Sequence, residues 1–144
     1  MSEIFVVGVD GSDGSRRALH TAARTAERLG ARLLVAHVVA EVPGVDRAPL
    51  APEAAFGQQE HEVEETHAHL LEAMVGEIAD LGVRVELATL HGDPATELAE
   101  LATGRDAAQI FIGRDHHSRL HERLFGSTVT ELARRTTVPL TLVP

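Results

Sequence analysis

The sequence predicts an α/β fold in which a five-stranded parallel sheet carries helices on both faces. Short runs of consecutive apolar residues alternate along the chain with longer segments in which apolar residues recur at helical spacing. The first run, Ile4 to Val9, is apolar without alternation, which is typical of a strand that is buried on both faces of a parallel sheet. Five strands therefore alternate with four helices, and we expect right-handed crossovers between the strands.

The first half of the chain contains two strand and helix pairs. The first strand covers Ile4 to Val9, and the helix after it is expected to be capped by Ser12 or Asp13 at its start and closed by Gly30. The second strand covers Leu33 to Val39. The apolar positions are Ala18, Leu19, Ala22, Ala23, Ala26 and Leu29 in the first helix, and Val63, Leu70, Met74, Ile78 and Leu81 in the second, which ends before Gly82.

The second half continues the alternation. The third strand covers Val83 to Leu90, and Asp93 caps a short helix that has Pro94 at its first position. The fourth strand covers Gln109 to Ile112, and the last strand covers Val138 to Val143. The apolar positions are Leu98, Ala99 and Ala102 in the third helix, and Val129, Leu132 and Ala133 in the fourth.

One connection is longer than the others. Glu41 to Gly57 contains three prolines and shows no periodicity, so it is too long for an ordinary link between a strand and a helix. It leaves the second strand at the carboxyl edge of the sheet. The segment is either a lid over a site at that edge or a loop without a function, and the sequence leaves both interpretations open.

Composition fits one compact domain over residues 1–144, because 44% of the residues are hydrophobic and no change in composition marks a boundary. No apolar run is long enough to cross a bilayer and no signal peptide is recognisable, so we expect a cytoplasmic protein without a membrane partner. The chain has no Cys, which excludes disulfides, thiolate zinc sites and Cys nucleophiles.

The charge excludes further classes of function. A formal net charge of -9 argues against a general nucleic-acid binder, because such proteins concentrate basic residues to neutralise phosphates. All the basic residues are Arg, so a P-loop Lys and a Schiff-base Lys are both excluded. No combination of nucleophile and base is recognisable from spacing, so no catalytic residue is assigned and an enzyme is not the leading interpretation.

The most informative segment begins at the fourth strand. That strand leads to Gly113, two residues precede His116, and nine more precede Gly126 and Ser127, which are expected to open the fourth helix. Backbone N–H groups and the positive end of a helix both attract anions at such a place. The predicted ligand is therefore a nucleotide or another phosphorylated small molecule.

The loop between Gly113 and Gly126 is a basic island in an acidic protein. It contains three Arg residues against Asp115 and Glu122, which leaves one net positive charge before any His is protonated. Such Arg residues suit a polyphosphate, although on exposed loops they are more often only solvated. The His116 ring could contact phosphate, which would strengthen binding below about pH 6.5. His117 and His121 do not give a convincing metal site, so no metal ligands are assigned.

This segment resembles the universal stress protein family, whose nucleotide-binding members carry Gly, two residues, Gly, nine residues, and then Gly followed by Ser or Thr. Gly113, Gly126 and Ser127 keep that spacing, and His116 stands in place of the second Gly. The resemblance covers nearly the whole chain. It implies the strand order 3-2-1-4-5 of a Rossmann-like, adenine nucleotide hydrolase-like fold.

With that order, the first and fourth strands are neighbours, and their ligand is expected in the crevice beyond their carboxyl ends. Asp10, Gly11 and Ser12 would line the crevice from one side and the Gly113 loop from the other. The resemblance implies that Asp10 holds the ribose, although Asp10 could instead only begin a turn.

The resemblance also places the other parts of the nucleotide. The backbone of Val38 would bond the adenine edge, and the phosphates would lie against the residues that follow the fourth strand. These are His116, Gly126, Ser127 and Thr128, and Arg114 of the basic island is assigned to the same site from its charge. The expected ligand is ATP, with AMP and ADP as alternatives, and Mg²⁺ is expected on the phosphates.

The leading interpretation is an ATP-binding stress-response sensor or switch. Family members dimerise through the last strand, so the resemblance implies a homodimer in which Leu140 to Val143 pairs across a two-fold axis. Two alternatives remain open. One is a dimeric interaction protein that has lost nucleotide binding, and the other is a slow ATP hydrolase or autophosphorylating protein.

Overall fold

The computed structural model describes residues 2–40, 68–114 and 122–144. Its elements are β1 (Ile4–Val9), α1 (Asp13–Leu29), β2 (Arg32–Ala40), α2 (68–77), a 3₁₀ turn (Ala79–Leu81), β3 (Val85–Gly92), α3 (Pro94–Gly104), β4 (Gln109–Gly113), α4 (Glu122–Arg135) and β5 (Leu140–Val143). The segment 41–57, for which the sequence leaves a lid open, lies outside these residues. None of the helices in the described ranges is long and apolar enough to cross a bilayer.

All five strands form one parallel sheet in the order β3-β2-β1-β4-β5, as predicted. β1 lies at the centre, and its last residue, Val9, pairs with His37 of β2. β4 lies on the other side of β1 and pairs with β5 as far as Gly113 and Val143. The carboxyl ends of β1, β2 and β4 therefore share one edge of the sheet.

Helices cover both faces of this sheet, which confirms the predicted fold class. Along β1, Val7 belongs to a core built with α1 and α2, whereas Val6 belongs to a second core built with α3 and α4. Alternate residues of a strand point to opposite faces, so one apolar run supplies both cores. Each fully buried aliphatic side chain contributes about 1.5–3 kcal/mol relative to an exposed one.

Helix α1 has the predicted ends. Ser12 is its N-cap and accepts a hydrogen bond from the backbone N–H of Ser15, and Gly30 ends the helix at φ 67°. The predicted apolar stripe is buried except for Leu29, whose side chain is 64% exposed. Leu29 is the last residue of the helix, and Ala31, beyond the turn, makes the core contact instead.

Several element ends differ from the sequence prediction. The predicted second helix is a helix over 68–77 followed by a separate 3₁₀ turn, and Val63 lies outside the described residues. The third strand begins at Val85 and extends to Gly92, because pairing with β2 continues to Ala40. The last strand begins at Leu140. In α4, Ala133 is exposed while Leu132 is fully buried.

Helix α3 begins with the predicted cap. The Oδ2 atom of Asp93 accepts hydrogen bonds from the backbone N–H of Thr96 at 3.0 Å and from its hydroxyl at 2.8 Å. The pKa of Asp93 lies below its usual value. The largest cause is the hydrogen bond from the Thr96 hydroxyl, and the next is the bond from the Thr96 backbone N–H. The positive charge of Arg135 has a smaller effect in the same direction. The carboxylate is thus matched to the positive end of the helix.

We predict that Asp93→Ala lowers the free energy of unfolding by about 1 kcal/mol at neutral pH, because the helix loses its cap. The folded pKa of Asp93 lies below the ordinary value of 3.8, so its ionised form adds stability above that pH, and this stability is lost as pH falls through the folded pKa. Urea unfolding at pH 7 and pH 3 measures the effect. If Asp93→Ala lost as much free energy of unfolding at pH 3 as at pH 7, a contribution from the ionised carboxylate would be contradicted. Asp93→Asn keeps the hydrogen-bond acceptor and should lose less stability than Asp93→Ala.

Candidate functional site

Two loops meet where the strand order reverses. β1 leads through Asp10 into α1, which packs on one face of the sheet, and β4 leads through Arg114 toward α4, which packs on the other face. Because β1 and β4 are neighbours and their helices lie on opposite faces, the ligand crevice of such a sheet is expected between their carboxyl ends. The backbone N–H of Arg114 donates to the carbonyl of Val143 at 2.7 Å, so the end of β5 borders the same place.

The loop after β1 is a tightly bonded turn. Asp10 Oδ1 accepts hydrogen bonds from the backbone N–H of Ser12 at 3.0 Å and from its hydroxyl at 2.5 Å. Ser12 Oγ in turn accepts from Ser15 N–H at 3.1 Å, and Ser15 Oγ lies 3.3 Å from the backbone N–H of Asp10. Asp10 therefore stabilises the turn, and it uses only one of its two carboxylate oxygens to do so. Within the described residues, Oδ2 has no hydrogen-bond partner and remains available to a ligand.

Gly11 is required by its backbone conformation, and it lies beneath a side chain of α2. Its φ is 84°, and a Cβ at this position would lie 2.8 Å from the Leu70 side chain of α2. A side chain would thus be strained in the turn, and the end of the Leu70 side chain would have to shift to make room for it. Gly11 was assigned to the site from the sequence, but its cover by α2 was not predicted.

Gly113 is also required by packing. A Cβ on Gly113 would overlap the carbonyl of Gly14 and would lie 2.8 Å from the backbone N of Ser15. The end of β4 therefore touches the first turn of α1 directly. The sequence predicts phosphate binding as the role of Gly113, and the structure shows a packing reason for it as well. The residue that Gly113 touches is itself a Gly, Gly14, in the first turn of α1.

The end of β2 carries Val38 and His37. Val38 pairs with Leu90 of β3, and its side chain packs against the second core, so only its backbone could contact a ligand at the strand end. His37 is buried, with 7% of its surface exposed, and its Nδ1 lies 2.9 Å from the carbonyl oxygen of Val9. This contact of His37 was not predicted from the sequence.

The predicted phosphate contacts differ most from the structure. The expectation that Gly126 and Ser127 open the fourth helix is wrong, because α4 begins at Glu122. The residues before Gly126 include Glu, Arg and Leu, which favour helix, so the helix extends back toward the loop. Thr128 is buried, with 7% of its surface exposed, which leaves it less open to a phosphate than expected. His116 lies outside the described residues.

Comparison with known proteins decides the family. The family model described as "Universal stress protein family" matches residues 1–144. The chain belongs to the universal stress protein family. It is similar to universal stress protein YxiE of Bacillus subtilis, with 28% identity over 143 residues that cover 96% of this chain and 97% of that one. The resemblance stated from the motif is therefore confirmed at the level of the family.

Solved structures agree with the observed fold. A universal stress protein in complex with cAMP matches with a TM-score of 0.71 and 25% identity, covering 99% of this chain and 96% of that one. The universal stress protein from Archaeoglobus fulgidus in complex with dAMP matches with a TM-score of 0.67 and 24% identity, covering 100% of this chain and 98% of that one. The likeness to the second structure shows the fold alone.

This universal stress protein also has a groove at the opposite edge of the sheet. It has a volume of about 400 Å³ and is lined by Arg32 and Arg84 together with the turns at Gly30 and Gly82. Those turns precede the amino ends of β2 and β3, whereas ligands of such sheets bind beyond the carboxyl ends. We therefore place the candidate site at the crevice of β1 and β4. No cluster of three or more potential metal ligands occurs within residues 2–40, 68–114 and 122–144.

Proposed function

We propose that this universal stress protein binds ATP in the crevice between β1 and β4 and acts as a homodimeric stress-response sensor or switch. The observation that carries the proposal is the Asp10 turn, in which one carboxylate oxygen is used by the protein and the other has no partner among the described residues. A partly buried carboxylate at the end of a central strand is costly unless it is hydrogen-bonded. Ribose hydroxyl groups are suitable donors for it.

The adenine would lie against the backbone at the end of β2. Val38 pairs with β3 on one side, while the β1 ladder ends one residue earlier, at the pair of Val9 and His37. The side of the Val38 backbone that faces β1 therefore lies beyond the last paired position of β1 and β2. A base that bonds this edge would have its ribose beside Asp10, because Asp10 directly follows Val9.

The phosphates would extend toward the loop after β4. Arg114 follows Gly113 at the crevice, and the family spacing then places His116, Gly126 and Ser127 in the path of the phosphates, with Mg²⁺ on the phosphates. Because α4 begins at Glu122, contact with the N–H groups of Gly126 and Ser127 requires its first turn to open. Thr128 would contact the phosphates only after the first turn of α4 has opened in the same way.

The comparisons support an adenine nucleotide as the ligand class. One similar structure is a complex with cAMP and another is a complex with dAMP. Both ligands contain adenine and a sugar, which are the parts that Val38 and Asp10 would hold. ATP is the finer proposal, and it depends on the positive loop after β4 binding the additional phosphates.

Incubation of nucleotide-free protein with ATP labelled on the γ-phosphate tests the proposal. Retention of intact ATP after gel filtration supports a sensor or switch. Release of labelled phosphate, or transfer of label to the protein, would instead indicate the hydrolase or autophosphorylating alternative. No retention of any adenine nucleotide would contradict the proposal and favour a dimeric interaction protein.

The homodimer would form through β5, which is an edge strand of the sheet formed by the described residues. Leu142 of this strand is 44% exposed, so pairing with a second copy would bury it. We predict that light scattering at micromolar concentration gives the mass of a dimer. We also predict that Leu142→Lys weakens the dimer at least about tenfold, because two copies bring like charges together at the two-fold axis.

The opposite edge strand provides a matched control for this prediction. Leu87 of β3 is 47% exposed, and Leu87→Lys should leave the dimer unchanged. A monomeric wild-type protein, or a dimer weakened equally by both substitutions, would contradict an interface at β5.

A further inference from the structure

The His37 side chain links the end of β2 to the end of β1, and the proposed nucleotide would contact both of these strand ends. Its Nδ1 lies 2.9 Å from the carbonyl oxygen of Val9, and this ring is buried at the end of β2. A carbonyl oxygen only accepts hydrogen bonds, so Nδ1 must carry the proton and donate. The bond therefore fixes both the tautomer and the orientation of the ring.

The hydrogen bond between His37 and Val9 lies where the pairing of β1 with β2 ends. Val9 and His37 form the last paired position between β1 and β2. Beyond it, β1 leaves the sheet into the Asp10 turn, while β2 continues beside β3 as far as Ala40. Strand ends separate easily where a ladder stops. The His37 bond adds a side-chain link at that last paired position.

The side-chain hydrogen bonds of the Asp10 turn are local. The side-chain hydrogen bonds described for Asp10, Ser12 and Ser15 connect these residues to one another and to the start of α1. They shape the turn but do not tie it to β2. The His37 ring makes that tie through the residue that immediately precedes Asp10.

We infer that His37 is a positioning residue of the nucleotide site, which sets the distance between the Asp10 carboxylate and the Val38 backbone by holding the end of β1 against β2. The inference rests on the proposed binding of an adenine nucleotide. His37 does not touch the ligand. It acts through Val9, and a nucleotide that bonds both Val38 and Asp10 gains from having that distance fixed in advance.

The test compares substitutions that separate the hydrogen bond from the volume of the ring. His37→Leu keeps a similar size but cannot donate, and we expect it to weaken ATP binding about tenfold, as measured by calorimetry. His37→Asn can place an amide N–H where Nδ1 lies, and we expect it to bind within about threefold of wild type. Val35→Ala, two residues earlier in the same strand and fully buried, should lose stability without losing affinity for ATP.

A double-mutant cycle with Asp10→Ala gives the decisive readout. If His37 acts by positioning Asp10, the loss from His37→Leu should be much smaller when Asp10→Ala is already present. Equal losses in both backgrounds, or an Asn variant as weak as the Leu variant, would overturn the inference. Should His37→Leu fail to fold, His37→Gln moves the amide to the wrong distance, and the comparison of Asn with Gln makes the same test.

The cycle also separates the inference from the proposed function. Wild-type protein that does not bind ATP would overturn the proposed function and the inference with it. Wild-type protein that binds ATP, with His37→Leu binding equally well, would overturn the inference alone.

Discussion

Gly113→Ala is expected to lower the free energy of unfolding by about 3 kcal/mol, even in the absence of any nucleotide. The added Cβ would overlap the carbonyl of Gly14 and lie 2.8 Å from the backbone N of Ser15. Both are backbone atoms at the first turn of α1, so no side chain can rotate away to relieve the collision. Either β4 or α1 would have to shift, and both belong to the same core.

Chemical denaturation with urea measures this effect, and the chain offers a matched control. Gly76 lies in α2, and a Cβ added there meets nothing within 4 Å. Gly76→Ala should therefore be neutral or more stable by up to about 1 kcal/mol, because Ala favours helix over Gly. If Gly113→Ala were as stable as wild type and only its affinity for nucleotide fell, the packing explanation would be wrong.

Asp10→Ala is expected to weaken ATP binding about tenfold to a hundredfold, because hydrogen bonds to a charged group contribute about 1.5–3 kcal/mol. The substitution removes the oxygen Oδ2 proposed for the ribose. It also removes Oδ1, which accepts two hydrogen bonds from Ser12, so the free energy of unfolding should fall by about 1 kcal/mol as well. Calorimetric titration and urea unfolding measure the two effects separately.

Two controls separate ribose binding from support of the turn. Asp10→Asn keeps an acceptor for Ser12 but loses the charge and one acceptor oxygen, so its stability should stay near that of wild type while its affinity falls. Asp13→Ala removes an exposed carboxylate three residues away, which pairs only loosely with Arg16 at 3.8 Å. Asp13→Ala should bind ATP normally. Equal binding by wild type and Asp10→Ala would show that the ribose is held elsewhere.

The elements that could be predicted from the sequence are those fixed by local chemistry. β1 has the predicted bounds, because a short apolar run between polar residues leaves little freedom in where a strand begins and ends. The caps at Ser12 and Asp93 were predicted because both side chains satisfy N–H groups within three residues of themselves. Leu29 was misjudged because its exposure depends on where the chain turns after the helix.

The place of the candidate site in the fold follows from topology, whereas the contacts that shape it depend on packing. Strand order places Asp10 and Gly113 at one edge, as predicted. The contacts of Leu70 with the Gly11 turn and of His37 with Val9 join residues far apart in sequence, so no spacing pattern could reveal them. The start of α4 was misplaced because the motif suggested Gly126, whereas helix propensity favours the residues before it.

A thermal melt of nucleotide-free wild-type protein with and without millimolar ATP and magnesium tests the nucleotide site most directly. At a hundredfold excess over the dissociation constant, bound ATP adds about 2.7 kcal/mol of stability, which raises the melting temperature by about 5 to 10 °C. A rise of this size with ATP, and a much smaller one with Asp10→Ala, is the predicted result. No rise with ATP, ADP, AMP or cAMP in protein freed of carried-over ligand would contradict nucleotide binding in the crevice between β1 and β4.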